Sequence, residues 1–338
     1  MSTLRTDAIV KNAWRQGLAV PGFNIPYLPM MAPVVQALRD CDSFGLVMVA
    51  RLEWIKFSSG SLRAIRDEYE KVKDLGHTRL HLDHVPVIDE DNLRVDYAAV
   101  ISEAMALGYE SVMVDGSRLS LAENIACTAK VAALAKDYGV PVEAELGAVM
   151  GHEAGPLPPY EELFASKKGF TDADEARRFV AESGADWLSV AIGNIHGAIS
   201  AAGKQKEKPR AQLDIDHLAL LQKATGIPLV LHGGTGIAAE YVQQAIKRGI
   251  AKINVATAIR QPYERTLAQG GDTAAAEPAG DDNADDDIQP APAWRVVIQA
   301  PDPDTFARLA ATGADIVTAT ETTVTLHGDQ DTPERLAA

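Results

Sequence analysis

Residues 228–257, PLVLHGGTGIAAEYVQQAIKRGIAKINVAT, compress the organisation of the chain into one unit. An apolar run, PLVLHG, stops at a histidine and a glycine cluster. A segment of helical period, AAEYVQQAIKRG, follows. A second apolar run, KINVA, then begins. Strand, helix and strand in that order imply parallel strands with a covering helix.

The same unit recurs outward from this stretch. Eight short β-rich runs, VPGFNI, FGLVMVA, TRLHLD, SVMVDG, VEAELG, WLSVAI, PLVLHG and KINVA, start near residues 20, 44, 78, 111, 142, 187, 228 and 252. Amphipathic segments such as LRVDYAAVISEAMALG and LAENIACTAKVAALAKDYG separate them, and Gly139 is a stop signal for the second. Eight units of this kind predict a closed α/β barrel, the (β/α)8 TIM architecture. Periodicity alone leaves an open doubly wound sheet possible. The polar residues argue for closure. Asn24, Asp83, His84, Asp115, Glu145, Asn194, His196, His232 and Asn254 all fall at or just past the ends of predicted strands. A barrel gathers those ends into one rim around one pocket, whereas an open sheet spreads them along an edge.

The barrel is expected over residues 1–269. Residues 270–293 hold seven carboxylates and no Lys or Arg, which reads as an acidic disordered linker. Residues 294–338 read as strand, helix and two strands, a small α+β appendage of unreadable role in which His327 is a surface histidine. The formal net charge of −15 argues against a general nucleic-acid surface. No long apolar run suggests a membrane span or a secretory leader, so cytoplasmic is the default expectation. Cys41 and Cys127 sit in helix-like apolar surroundings and read as reduced, largely buried thiols.

His84, His196 and His232 fall beside turns in LDHVP, NIHGA and LHGGTG. One such histidine is ordinarily structural. Three on one rim form a ligand set for a first-row divalent ion with a position left for substrate. Asp83, Asp115 and Glu145 can orient ligands, bind metal or move protons. The loop HGGTGI lies where barrels commonly bind phosphate through backbone N–H groups, and Arg260 supplies a planar cation nearby.

In order and spacing, LHLDH, VMVDGS, VEAELG, AIGNIHG, LVLHGGTG and AKINVAT resemble the class II, metal-dependent ketose-bisphosphate aldolases, which include fructose- and tagatose-1,6-bisphosphate aldolases. The resemblance covers about residues 8–268. It implies that His84, His196 and His232 bind the catalytic metal, Zn2+ before other divalent ions. Asp115 and Glu145 would lie near it and serve a second or alternate position, and a second divalent or a monovalent cation is an open possibility. Asp83 would act at the C4 hydroxyl and Glu153, in MGHEAG, at C3. Asn24, Gly197, Gly233, Gly234, Thr235, Asn254 and Thr257 would surround the dihydroxyacetone phosphate half. Arg260 would reach a distal phosphate, in relatives often across a subunit interface, so a homodimer or homotetramer is expected. The expected reaction is reversible aldol cleavage of a phosphorylated ketose resembling fructose-1,6-bisphosphate. A metal divides the work with Asp83: it stabilises charge as a Lewis acid while the carboxylate takes the hydroxyl proton. Schiff-base chemistry is disfavoured, because WLSVAI has no lysine and Lys252 sits at the start of its strand, away from the rim. The alternatives are a non-catalytic metal- and sugar-phosphate-binding barrel acting as scaffold or sensor, and a metal-dependent epimerase or isomerase.

Three departures bear on the substrate. Ala256 replaces the aspartate of the family's usual NVDT. VMVARLEW replaces a serine-containing segment after strand 2. The stretch after His196 is long and basic, with Lys204, Lys206, Lys208 and Arg210 either forming an anion-binding loop or lying solvated.

Overall fold

The computed structural model describes residues 4–149, 160–195, 211–268, 294–298, 315–320 and 323–328. Eight parallel strands close into a barrel in sequence order: β1 (Val20–Asn24), β2 (Gly45–Ala50), β3 (Thr78–Pro86), β4 (Ser111–Asp115), β5 (Val142–Leu146), β6 (Trp187–Val190), β7 (Leu229–Leu231) and β8 (Ile250–Val255). The closing pair is β8 with β1, in the register Gly22 against Asn254. The expected fold class is therefore observed.

Helices α1 (Thr6–Arg15), α2 (Met31–Asp40), α3 (Arg51–Lys56), α4 (Leu62–Val72), α5 (Tyr97–Ala106), α6 (Leu121–Tyr138), α7 (Tyr160–Ser166), α8 (Ala173–Ser183), α9 (Ile215–Thr225), α10 (Ala239–Lys247) and α11 (Thr257–Ala268) accompany the strands. Local chemistry sets their ends. Ser120 caps α6 by accepting from the Glu123 backbone, while the Glu123 carboxylate returns to Ser120. Gly139 ends the helix at φ +64°, a left-handed turn that costs glycine nothing.

Strand alternation builds two cores. Outward residues such as Val47, Val49, Leu80, Leu82, Val112, Val114, Leu188 and Leu229 pack under the helices. Inward residues fill the lumen, and at the N-terminal end Val20, Leu46, Met48, Trp187, Val230 and Ala251 meet Val10 of α1. Burying each Leu, Ile or Val contributes roughly 1.5–3 kcal/mol. The apolar floor closes one end of the barrel, so inward polar residues above it face the other.

Two expectations need correction. β3 runs past Asp83 to Pro86, so His84 lies within the strand rather than after it. Cys41 and Cys127 are free thiols but only half-buried. Strands β9 (Trp294–Ile298), β10 (Asp315–Thr320) and β11 (Thr323–Gly328) form an antiparallel sheet in the order β10-β11-β9, with His327 opposite Arg295. The linker 270–293 and the expected tail helix lie outside the described residues.

Candidate metal centre and active site

His84 owes its place to a bulge. Between Leu82 and Val85, β3 advances three residues while β4 advances two, from Val112 to Val114. His84 is the extra residue, at φ +24°. Regular alternation would send Asp83 inward and His84 outward. The bulge turns both into the barrel mouth.

Around it, groups that could hold a metal ion converge. One ligand atom each from Asp83, His84 and His232 lie within 4.8 Å of one another, as do atoms from His84, Asp115 and Glu145. Glu145 Oε2 lies 3.3 Å from His232 Nδ1 and 3.8 Å from His84 Nδ1. Asp115 Oδ2 is 3.4 Å from His84 Nδ1. Buried Glu145 Oε2 accepts no hydrogen bond from the described residues. Two imidazole nitrogens converging on such an oxygen is the donor set a Zn2+-like ion takes. His196 and Gly197 lie outside the described residues, as do Glu153, Lys204, Lys206, Lys208 and Arg210.

A second layer, which the sequence reading missed, lies beneath. Glu143 Oε1 is 2.8 Å from His232 Nε2, and Glu143 Oε2 is 2.8 Å from Lys252 Nζ. A carboxylate accepting from Nε2–H leaves Nδ1 with the lone pair, facing Glu145 and His84. His81, whose Nδ1 bonds to Ser111 Oγ at 2.8 Å, places Nε2 3.7 Å from Glu143 and 3.8 Å from Asp83. Lys252 belongs to the same lower layer. It lies below the rim but not away from the chemistry, fully buried, with Nζ 3.9 Å from Asp83 Oδ1. Its ion pair with Glu143 makes it part of the foundation, in keeping with the reading that it is no Schiff-base nucleophile.

Asp83 is clamped from two sides. Asn24 Nδ2 donates to Oδ2 at 2.9 Å, and Asn254 Nδ2 donates to Oδ1 at 3.0 Å. Burial opposes its charge, but His84, His81, Lys252 and His232 outweigh burial and hold the carboxyl well below the usual range. For His84, burial favours the neutral ring, yet Asp83, Asp115 and Glu145 carry its pKa up to about 10. Burial and the Asp115 charge raise Glu145.

Glu53, also unanticipated, stands where the sequence departs after β2. Its Oε2 accepts from the Ala50 N–H at 2.7 Å at the start of α3. Burial, then the charge of Asp83, push its pKa to about 8 against the hydrogen bonds from Ala50 and Asn24. Asn24 thus serves both carboxyl groups.

The glycine loop after β7 is built for close approach. Gly233 has φ +67°. A Cβ on Gly234 would stand 2.8 Å from Asn254 O, and the Gly234 N–H already donates to that oxygen at 3.1 Å. Gly234 therefore fastens the loop to β8. Thr235 Oγ1 accepts from the Ala258 N–H at 3.3 Å, joining the loop to the start of α11 beside Thr257. Arg260 is 9% exposed; its Nη1 is 2.6 Å from Glu264 Oε2.

The fold and the site define a (β/α)8 protein with a candidate metal centre at the C-terminal ends of its strands. A family model described as fructose-bisphosphate aldolase class-II matches residues 4–333, and the chain belongs to that family. Among solved structures, the YdjI aldolase from Escherichia coli K12 is 26% identical, with a TM-score of 0.62 over 80% of this chain and 88% of that one. A putative fructose-1,6-biphosphate aldolase from Coccidioides immitis is also 26% identical, with a TM-score of 0.61 over 78% and 85%. The fructose-bisphosphate aldolase of Campylobacter jejuni, at 21% identity, a TM-score of 0.61 and coverage of 79% and 80%, shares the fold.

Proposed function

We propose that the chain catalyses reversible, divalent-metal-dependent aldol cleavage of a phosphorylated ketose to dihydroxyacetone phosphate and an aldehyde. The observation that carries this reading is the convergence of His84, His232 and Glu145 beside the doubly clamped Asp83. His84 and His232, with His196, would hold the ion, Zn2+ being the first to test, and Glu145 and Asp115 would flank it. A bound ion supplies Lewis-acid stabilisation of negative charge at the substrate oxygens.

The side chains divide the remaining work. Asp83 is ionised, and two amide donors fix both its oxygens, so it is oriented to take the proton of the C4 hydroxyl as the C3–C4 bond breaks. Glu153 is assigned the proton at C3. Gly233, Thr235 and Thr257, with Gly197, would receive the phosphate of the dihydroxyacetone half, and Asn24 and Asn254 hold Asp83. We assign this chemistry to residues 1–269, in a homodimer or homotetramer in the cytoplasm. Among the described residues, no helix is long and apolar enough to cross a membrane.

Asp83→Asn tests the assignment. The amide keeps the shape but cannot accept the hydroxyl proton. Ketose cleavage should fall about 10²–10⁴-fold with metal content retained. Undiminished turnover would remove Asp83 from the mechanism, and a scaffold that only binds sugar phosphate would then account better for the site.

A further inference from the structure

Helix α7 pins a neck in the chain. Residues 196–210 leave from Ile195 and rejoin at Ala211, and the two flanks of that segment are drawn together. The Asp214 N–H donates to Ile192 O at 2.9 Å. Gly193 and Gln212 meet at the Tyr160 hydroxyl. It lies 2.9 Å from Gly193 O and 3.0 Å from Gln212 O, and it accepts from the Gln212 N–H at 2.7 Å. The approach requires glycine: a Cβ on Gly193 would overlap Gln212 O and stand 2.6 Å from Phe164 Cε2. Lys167, just past α7, adds an ion pair to Asp214 at 2.7 Å.

A small apolar cluster, separate from the barrel core, seals the same place. Buried Leu163, Ile195 and Ala211 pack with half-buried Tyr160 and Ile237. Ala211 and Ile237 also pair through a parallel backbone bridge. Each part adjoins a segment to which chemistry was assigned above. Ile195 precedes His196, Ile237 ends the loop of Gly233 and Thr235, and Tyr160 follows the segment 150–159 that holds Glu153.

The Tyr160 ring packs beside Phe164, 5.9 Å between centroids, whether or not it carries a hydroxyl. What the hydroxyl adds is direction. Apolar contact is non-directional, whereas hydrogen bonds to both flanks fix their separation. Metal–ligand distances tolerate deviations of only about 0.2 Å. An imidazole three positions after Gly193 therefore depends on how that neck is held.

We propose that Tyr160 is a positioning residue for the metal centre. It closes the neck from which His196 is presented and ties it to the glycine loop and to the Glu153 segment. It touches no substrate and acts through His196. This assignment deepens the aldolase reading and rests on it, through the role given to His196.

The test measures Zn2+ affinity of the full chain by chelator competition for the unsubstituted protein, Tyr160→Phe, His196→Ala and the double variant. Urea unfolding of each metal-free protein is recorded alongside. Tyr160→Phe should weaken Zn2+ binding about tenfold, the range for groups that orient metal ligands, with little change in the metal-free unfolding midpoint. In the His196→Ala background the same substitution should change affinity less than about twofold, because the ligand it positions is gone. Affinity unchanged by Tyr160→Phe, or weakened equally in both backgrounds, overturns the inference and leaves the hydroxyl a purely structural contact. Affinity unchanged by His196→Ala overturns it too, by removing His196 from the metal centre, as does failure of the unsubstituted chain to bind Zn2+. Exchange of the C3 hydrogen of dihydroxyacetone phosphate with deuterated water, in the Zn2+-loaded unsubstituted protein, tests the aldolase reading separately. Its absence overturns that reading and leaves the coupling of Tyr160 to His196 standing.

Discussion

Glu143 shows how a residue outside the ligand set can govern it. Its carboxylate receives His232 Nε2–H and pairs with Lys252, so it fixes which imidazole nitrogen is offered to a metal. Glu143→Gln should lower metal affinity about 10–100-fold in a chelator competition. It should also destabilise the metal-free protein by about 3 kcal/mol, because buried Lys252 loses its counter-charge. Unaltered affinity would mean that His232 does not depend on this bond. Glu53 permits a pH prediction. Its pKa rises from 4.5 to about 8 on folding, so the folded chain binds the proton more tightly than the unfolded one. The stabilisation is complete below about pH 4.5 and is lost as pH rises toward 8, a swing on the order of a few kcal/mol. Glu53→Gln should flatten this part of the stability curve in urea titrations of metal-free protein. A parallel loss in both proteins would show that Glu53 ionises normally. Part of this layer was legible in the sequence. Glu143 stands two positions before Glu145, His81 two before Asp83 and Lys252 two before Asn254, so period-two alternation already put each pair on one face. The reading stopped at the strand ends. Glu53 carried no such signal, because its burial follows from how α3 folds back on β2.

Among the elements, β3 departs most from the regular pattern and contributes most to the site. The bulge at His84 has a positive φ, which Asn and His tolerate and β-branched residues resist. His84→Asn and His84→Val remove the same imidazole from among the same carboxylates and differ mainly in that backbone preference. Metal-free His84→Val should be less stable than metal-free His84→Asn by about 1–3 kcal/mol in denaturant unfolding. Equal stability would show that the bulge relaxes without cost. The strand order and the caps of α6 follow from local signals, namely the apolar runs, the Ser120–Glu123 pair and Gly139. The bulge does not, because a register shift depends on the neighbouring strand. That is why His84 was expected after β3 and is found inside it.

At the scale of the molecule, the barrel separates its tasks by end. α1 and the inward apolar layer close the floor, Glu143, Lys252 and His81 form a charged foundation above it, and the candidate metal-binding groups and Asp83 stand at the mouth. Alternation of strand and helix made this architecture legible, and the run of polar residues at strand ends made its working end legible. The neck held by α7 was not, since Tyr160 gains its partners only once Gly193 and Gln212 fold against it. The central claim joins metal and proton transfer in one site. It is tested most directly by incubating the protein with dihydroxyacetone phosphate in deuterated water, with and without EDTA, and following exchange at C3. The account predicts exchange that EDTA abolishes and added Zn2+ restores. Exchange that survives removal of the metal, or its absence from protein carrying one bound divalent ion, would contradict it.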